Sequence, residues 1–310
     1  MRQSYTPTQL MDRESRSNRY YRNAVERHWD PWAINLDRDV ENLASALESS
    51  EVDPRTSLNR TVNGIAKFGA GEDAVTEDLA PLAVVLDDID DQLFLTTQLY
   101  EEAKHADFFD RYWREVVWTV EDRLGLERSS PRDDRWFPEP YLDLFDRNRR
   151  ATHRLLTDDT PENRAKAYAH YHLTIEGILA QTGYYGMQRS YDGEFENLPT
   201  LPGLVAGFQQ IRADEGRHVG FGMAKLEALV ESGVEPELIE ETVTDLLELV
   251  TAIVEDDPFQ PDDTTLQFGP AEGELAAYAV TKHQERLEQI FDDSKAIPTI
   301  EELTSLDQPE

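Results

Sequence analysis

The sequence predicts an all-α fold, a four-helix bundle with additional flanking helices. Apolar residues recur at helical spacing along most of the 310 residues. No segment of useful length alternates polar and apolar residues as a β-strand does. Two segments with this helical pattern each carry the motif Glu-x-x-His, at residues 102–105 and 215–218. Because side chains three apart share a helix face, each copy presents a carboxylate and an imidazole side by side.

Start and stop signals divide the chain into its helices. Acids between 87 and 91 are expected to cap one helix, and Thr160 followed by Pro161 is expected to open another. Gly69 and Gly71 lower the helix propensity of a third segment, and the alternative to one continuous helix is a break at these glycines. The predicted helices are, in order, 38–50, 57–86, 88 to about 124, 139–156, 161 to about 190, one that opens near 202 and carries the second motif, 235–254 and 272–291.

The charge balance excludes some partners and suggests an environment. The chain has 63 acidic and 30 basic residues, for a net charge of −33. That charge repels phosphate backbones, so we expect no nucleic-acid partner. Acid-rich surfaces that contain few lysines suit a salt-rich cytoplasm, where screening relieves self-repulsion, and we interpret the protein as one from a halophile. An ordinary acidic protein is the alternative.

The sequence also limits location and metal chemistry. No apolar run is long enough to cross a membrane, and no signal-peptide pattern opens the chain, so we expect a cytoplasmic protein. There is no cysteine, which excludes thiolate metal sites and disulfides. Any metal must therefore bind to carboxylates and imidazoles.

A lone glutamate precedes each motif, Glu72 the first and Glu176 the second. Two helices with one Glu each, and two with Glu-x-x-His, form the ligand set of ferritin-like dimetal-carboxylate bundles. We therefore expect 1–25 to form a flexible N-terminal arm, 26–292 a ferritin-like dimetal-carboxylate domain and 293–310 a C-terminal tail. The predicted metal ligands are Glu72, Glu102, His105, Glu176, Glu215 and His218.

The charges of the ligands agree with this interpretation. Four carboxylates carry −4 and two divalent ions +4, so the filled site is roughly neutral. Asp214 is a plausible acceptor for the second ring N–H of His105, and Arg217 is expected to hold carboxylates of this layer in place. About one Glu-x-x-His is expected by chance in so acidic a chain. Two copies in matching contexts favour a genuine site.

The motifs resemble those of a known family, the ligand-binding oxidases similar to the small subunit of ribonucleotide reductase. The resemblance extends over most of the chain and is most specific at residues 71–76, 102–105, 171–176 and 214–218. It implies a manganese–iron pair, with a di-iron pair as the alternative. Manganese would lie on Glu72, Glu102 and His105. Iron would lie on Glu176, Glu215 and His218.

The resemblance further implies an ether crosslink between Val75 and Tyr171 that the site forms itself. It also implies a long-chain fatty acid in an apolar channel, dioxygen as co-substrate, two-electron oxidation of C–H bonds, and a homodimer. Val75 is three residues from Glu72 and shares its helix face. Tyr171 is five residues before Glu176, an offset that points elsewhere on an α-helix unless a π-bulge intervenes.

Two other functions fit parts of the pattern. One is a manganese–iron small subunit of ribonucleotide reductase, a generator of radicals. Phe109 replaces the radical tyrosine of many such subunits without excluding the manganese–iron subclass, but no aromatic residue follows Phe291 for radical relay. The other is a ferritin-type iron-binding protein, which the long extra helices on both sides of the bundle disfavour.

Overall fold

The structure, a computed structural model, describes residues 10–259, 269–291 and 297–303 and confirms the predicted all-α fold. Two π-helical segments interrupt the α-helices: Trp113–Val117 joins α5 to α6, and Ala169–Ala180 joins α8 to α9. The α-helices are α1 (Arg16–Glu26), α2 (Asp37–Ser49), α3 (Pro54–Asp78), α4 (Ala80–Val85), α5 (Ile89–Tyr112), α6 (Trp118–Arg123), α7 (Glu139–Arg154), α8 (Pro161–Tyr168), α9 (Gln181–Tyr191), α10 (Pro202–Glu231), α11 (Pro236–Glu255), α12 (Glu274–Phe291) and α13 (Ile300–Leu303).

The bundle consists of α3, α5, the continuous α8–π–α9 rod and α10, which pack on one another. Its interior has two hydrophobic cores, one containing Val75 and Phe94 and the other Ile65 and Phe108. Along α3 and α10 the chain passes from the second core to the first, and along the other two it passes the opposite way. Two helices therefore run in each direction. The predicted ligands lie at the boundary between the cores on all four.

Local signals explain the helix ends. Asp53 accepts a hydrogen bond from Thr56 N to open α3, and Thr160 accepts one from Asn163 N to open α8. The segment predicted as one helix over 57–86 is instead two, α3 and α4. Pro81 is the reason, since its ring cannot continue the preceding helix. The glycines at 69 and 71 do not interrupt α3.

The prediction of a flexible arm over 1–25 is wrong for its second half, because α1 packs on α5 and α10. Asn18 donates a hydrogen bond to Asp90 Oδ1, and Ser17 donates one to Asp91 Oδ1. These polar anchors are not visible as an apolar pattern in the sequence. Part of the expected tail, 297–303, is also ordered, and Leu303 is buried. Residues 1–9, 292–296 and 304–310 lie outside the described residues.

The remaining helices surround the bundle. The helices α7, α11 and α12 cover the π-segment Ala169–Ala180, while α2 packs on α10 and α6. No helix among the described residues is long and apolar enough to cross a membrane.

Candidate metal centre

The structure brings all six predicted ligands into one buried cluster. They form two overlapping groups, and within each group one ligand atom from every residue lies within 4.8 Å of the others. Glu102 and Glu215 belong to both groups. Glu72 and His105 complete the first group, and Glu176 and His218 complete the second. Two carboxylates shared between two sets of donors is the arrangement that two neighbouring cations require.

Both imidazoles present Nδ1 to the carboxylates. His105 Nδ1 lies 3.3 Å from Glu102 Oε2 and 3.5 Å from Glu72 Oε2. His218 Nδ1 lies 3.1 Å from Glu102 Oε1 and 3.4 Å from Glu176 Oε1. Each Nε2 points outward to a second carboxylate, which is the pattern that fixes the tautomer of a metal-binding histidine.

These outer carboxylates come from the opposite helix. His105 on α5 faces Asp214 on α10, with 3.2 Å between Nε2 and Oδ2. His218 on α10 faces Glu101 on α5, with 2.9 Å between Nε2 and Oε2. Arg217 joins the two, because its Nη2 donates to both Glu101 Oε1 and Asp214 Oδ1. The guanidinium therefore contacts the outer acids, and each of these acids in turn holds an imidazole.

Asp214 accepts further hydrogen bonds from two buried donors. Trp29 Nε1 lies 2.8 Å from its Oδ2, and Lys104 Nζ lies 3.1 Å from the same atom. Neither Trp29 nor Lys104 was among the predicted site residues. With Arg217 and Lys104 beside it, Asp214 is a fully partnered anion whose pKa is held well below its usual range. Burial opposes that shift, and contacts with His105, Arg217 and Lys104 outweigh burial.

Glu101 is a second outer acid of the centre, and it was not among the predicted site residues. The available signal was a repeat: an acid directly precedes the motif glutamate in both copies, Glu101 before Glu102 and Asp214 before Glu215. The structure uses the two acids equivalently, each on the histidine of the other copy. The longer glutamate side chain faces His218, and the shorter aspartate faces His105.

Glu176 is held in place by a hydrogen-bonded chain that consists of Gln98 and His172. Gln98 Nε2 donates to Glu176 Oε1 at 3.0 Å, and Gln98 Oε1 faces His172 Nε2 at 3.3 Å. Burial lowers the pKa of His172 well below its ordinary value, and the nearby His218 lowers it further, so its imidazole is neutral and donates through Nε2. Neither Gln98 nor His172 was among the predicted site residues.

Burial dominates the protonation of the carboxylates. It raises the pKa of Glu72 to about 8 and that of Glu176 well above its usual range, while nearby Glu102 adds to the upward shift of Glu215. Burial also acts on Glu102, but His218 and His105 outweigh it and hold the pKa of that carboxyl well below its usual range. The four acids therefore cannot all be charged unless cations compensate them.

The imidazoles respond in the opposite sense. Burial lowers the pKa of His105, yet Glu72 and Asp214 outweigh burial and raise it well above its usual value. The pKa of His218 is raised in the same way by Glu102 and Glu215. Protons thus neutralise the cluster, and metal binding would displace them.

Several ligand atoms of the cluster are buried without a hydrogen-bond partner, as expected for atoms that coordinate a metal ion. Glu176 Oε2, Glu215 Oε2 and His218 Nδ1 are buried and make no hydrogen bond. Buried polar atoms are normally satisfied, so three such atoms around one centre indicate coordination to an ion. Carboxylate oxygen and imidazole nitrogen suit iron and manganese, and zinc also binds such ligands.

Tyr171 reaches this cluster because its helix is π-helical. Its hydroxyl donates to Glu102 Oε1 at 3.0 Å, and both residues are buried. A π-helix bonds residue i to residue i+5, which brings side chains five apart to similar positions around the axis. That geometry places Tyr171 and Glu176 on the same side of the rod. Val75 is buried one turn after Glu72 on α3, beside the same cluster.

A cavity of about 1210 Å³ leads away from the cluster between α3 and α9. Its lining includes Glu72, Glu102, Glu176 and Glu215 together with Val75 and Tyr171. On α3 the lining residues extend from Val75 back to Ser57, which corresponds to about 27 Å at the α-helical rise. Further lining residues near the cluster are apolar or aromatic: Phe68, Ile175, Leu179, Tyr184 and Met187.

Comparison with solved structures identifies relatives of this arrangement. An R2-like ligand-binding oxidase with aerobically reconstituted Mn/Fe cofactor is 27% identical, with a TM-score of 0.71 over 90% of this chain and 94% of that chain. Two mutants of such an oxidase with Mn/Fe cofactor, one reconstituted aerobically and one anaerobically, are 27% identical with TM-scores of 0.75 and 0.73 over 90% of this chain and 95% of theirs. No protein-family model matches the chain. Over nine-tenths of its length, the chain is thus similar in sequence and fold to the R2-like ligand-binding oxidases, as its motifs predicted, and its buried carboxylates and imidazoles suit a dimetal centre.

Proposed function

We propose that the protein is an oxidoreductase, a manganese–iron oxidase that uses dioxygen for two-electron oxidation of C–H bonds. The observation that carries this proposal is the pair of overlapping donor groups that share Glu102 and Glu215. Related structures with a Mn/Fe cofactor support the choice of metals, with a di-iron pair as the alternative. When bound, such a metal pair supplies the electrons and the coordination positions for the reaction with dioxygen.

Each ion has its own terminal ligands in this proposal. Glu72 and His105 belong to the manganese position, and Glu176 and His218 to the iron position. Glu102 and Glu215 lie between the two positions and are suited to bridge them. The divalent affinity series does not favour manganese, so this distribution depends on the relatives.

The surrounding residues orient the ligands. Asp214 and Glu101 keep Nε2 of each imidazole protonated, which leaves Nδ1 free to coordinate. Gln98 holds one oxygen of Glu176 and leaves its Oε2 available. Buried Val75 and Tyr171 lie beside the glutamates at the inner end of the cavity. An apolar molecule bound in the cavity would exclude water from the cluster, which limits side reactions of oxidising species.

We propose an ether crosslink between Val75 and Tyr171 as the first product of this chemistry. The valine β-carbon loses one hydrogen and the tyrosine hydroxyl the other, a C–O bond forms, and dioxygen accepts both hydrogens with their electrons. Burial raises the pKa of Tyr171 well above its ordinary value, and Glu102 adds to the shift, so the phenol keeps its proton until it reacts.

We further propose that the cavity holds a long-chain fatty acid or a similar molecule. Its carboxylate would lie at the metal cluster and its chain along α3 and α9. The apolar lining near the cluster suits an alkyl chain, whereas charged residues such as Arg60 and Asp257 line the more distant part of the cavity.

Peptide mapping after metal loading tests the proposal. Protein loaded aerobically with manganese and iron is expected to yield a linked peptide pair containing Val75 and Tyr171, lighter than the two separate peptides by two hydrogens. The matched controls are anaerobic loading and the variant Tyr171→Phe, neither of which yields the pair. Anomalous scattering across the manganese and iron edges would locate each metal. Absence of any bound metal pair would refute the function, and bound metals without the linked peptide would refute the crosslink alone.

We propose a salt-rich cytoplasm as the setting of this activity, which the net charge of −33 supports, and a homodimer as the assembly. Sedimentation of the metal-loaded protein would test the dimer.

A further inference from the structure

A second cavity, of about 370 Å³, lies where α7, α8 and α11 meet, and it shares no lining residue with the large cavity. Most of its polar lining is basic. The basic side chains are those of Arg147, Arg150, Arg154, Lys166 and His170, and Asp245 on α11 is the single carboxylate among the lining residues. On a chain with a net charge of −33, this local excess of cations is contrary to the overall composition.

Lys166 is the residue of this cavity that most strongly indicates an anionic ligand. The chain has six lysines, and the structure describes five of them. Four form ion pairs with acids: Lys67, Lys104, Lys225 and Lys282. Among the described residues, Lys166 has no acidic partner although acids outnumber bases two to one. An ammonium without a partner at the wall of a cavity is available to an anionic ligand.

The arginines are paired only loosely. Arg147 lies 2.8 Å from Asp143, Arg154 lies 2.5 Å from Asp158 and Arg150 pairs with Asp146, and all six side chains are between 37% and 62% exposed. Exposed pairs of this kind contribute little free energy, so these guanidiniums can turn toward a ligand at small cost. Their planar donors match the oxygens of a phosphate group.

His170 forms the inner wall. Its Nδ1 is buried and makes no hydrogen bond. Burial, together with the nearby Arg147, Lys166 and Arg150, lowers the pKa of His170 to about 4. Three cations therefore act on one imidazole from two helices, which shows that their positive potential converges inside the cavity.

We propose that this cavity binds a phosphate-class oxyanion through Lys166, Arg147, Arg150 and the imidazole of His170. The anion supplies the acceptor that Lys166 and His170 Nδ1 lack. Asp245 would repel a bare anion but accepts a hydrogen bond from a hydroxyl group, so a hydroxylated organic phosphate fits the whole lining better than inorganic phosphate. Organic phosphate and inorganic phosphate would be bound through the same phosphate oxygens, and the experiment below distinguishes between them.

Calorimetric titration of metal-loaded protein at constant KCl tests the proposal, with inorganic phosphate and glycerol phosphate as probes. We expect one equivalent of at least one probe to bind, and Lys166→Gln to weaken that binding at least tenfold. Lys166 is exposed, so this variant is expected to fold normally. Arg149→Gln is the matched control, because Arg149 lies on α7, pairs with Asp146 and does not line the cavity.

The arms give distinct answers. Tighter binding of glycerol phosphate than of inorganic phosphate assigns the site to organic phosphates, and the reverse order assigns it to the free anion. Binding of neither probe overturns the proposal. Binding that Lys166→Gln leaves unchanged also overturns it, since phosphate would then be held elsewhere, for example at the metals. Loss of metal binding would contradict the proposed function without affecting this outcome.

Discussion

Glu101 offers the sharpest test of how the centre is held together. Its two oxygens have separate tasks: Oε2 faces His218 Nε2 at 2.9 Å, and Oε1 accepts from Arg217. The variant Glu101→Gln keeps the shape but has a single acceptor oxygen. One of the two N–H groups must then face the amide NH₂, and the buried guanidinium loses one of its two acidic partners and retains Asp214.

The expected magnitude follows from these contacts. Loss of one charge-assisted hydrogen bond costs about 1.5–3 kcal/mol. Removal of the partner of a ligand histidine typically weakens metal binding about 10–100-fold, equivalent to about 1.4–2.7 kcal/mol. We therefore expect Glu101→Gln to lower the affinity for the ion on His218 within that range. The ion on His105 should be affected less, because Asp214 remains.

Anaerobic titration with Mn²⁺ against a competing chelator measures both affinities. Glu115→Gln is the matched control, since Glu115 follows α5 and is partly exposed, and it pairs with Arg111 instead of a ligand histidine. Glu101→Asp keeps the charge and should lie between wild type and Glu101→Gln. If Glu101→Gln folds with native helicity and binds both ions as tightly as the control does, Glu101 does not position His218 and the reasoning is wrong.

Three further outcomes are expected. Gly222→Ala should destabilise the fold by about 1–3 kcal/mol in urea unfolding, because its Cβ would lie 2.1 Å from His172 Cβ, whereas Gly71→Ala, with its nearest contact at 3.4 Å, should be near neutral. The free energy of unfolding should rise from dilute buffer to molar KCl, because salt screens the net charge of −33, and a flat response would contradict the halophile interpretation. The contribution of His170 to the free energy of unfolding should fall as pH decreases from 6.5 to about 4, because unfolded His170 binds its proton at a higher pH than folded His170, so wild type should lose stability relative to His170→Gln over this range in urea unfolding.

Much of the centre could be predicted from the chain alone because its determinants are local. The spacing of Glu102 to His105, and of Glu215 to His218, fixes which side chains share a helix face. Proline and capping residues locate the ends of the helices that carry them. The two lone glutamates then complete a ligand set with few other interpretations, and the structure brings all six side chains together.

Other features were decided only when helices packed. The exchange of outer acids between α5 and α10, Glu101 to His218 and Asp214 to His105, depends on the relative positions of two helices distant in sequence. The same holds for α1, which is anchored by polar contacts to Asp90 and Asp91 instead of an apolar stripe. Pairing across helices has no period that a sequence pattern can reveal.

The π-segment Ala169–Ala180 combines a feature that the sequence determines, the identity of its residues, with one that helix packing determines, the direction of their side chains. On an α-helix, an offset of five residues directs Tyr171 and Glu176 to different faces, so the sequence alone does not show that both side chains reach the cluster. The packing of α10, α11 and α12 around this segment accompanies an i to i+5 backbone that turns both side chains to the cluster. Residue identity thus determined the available donors, while tertiary packing determined their directions and partners.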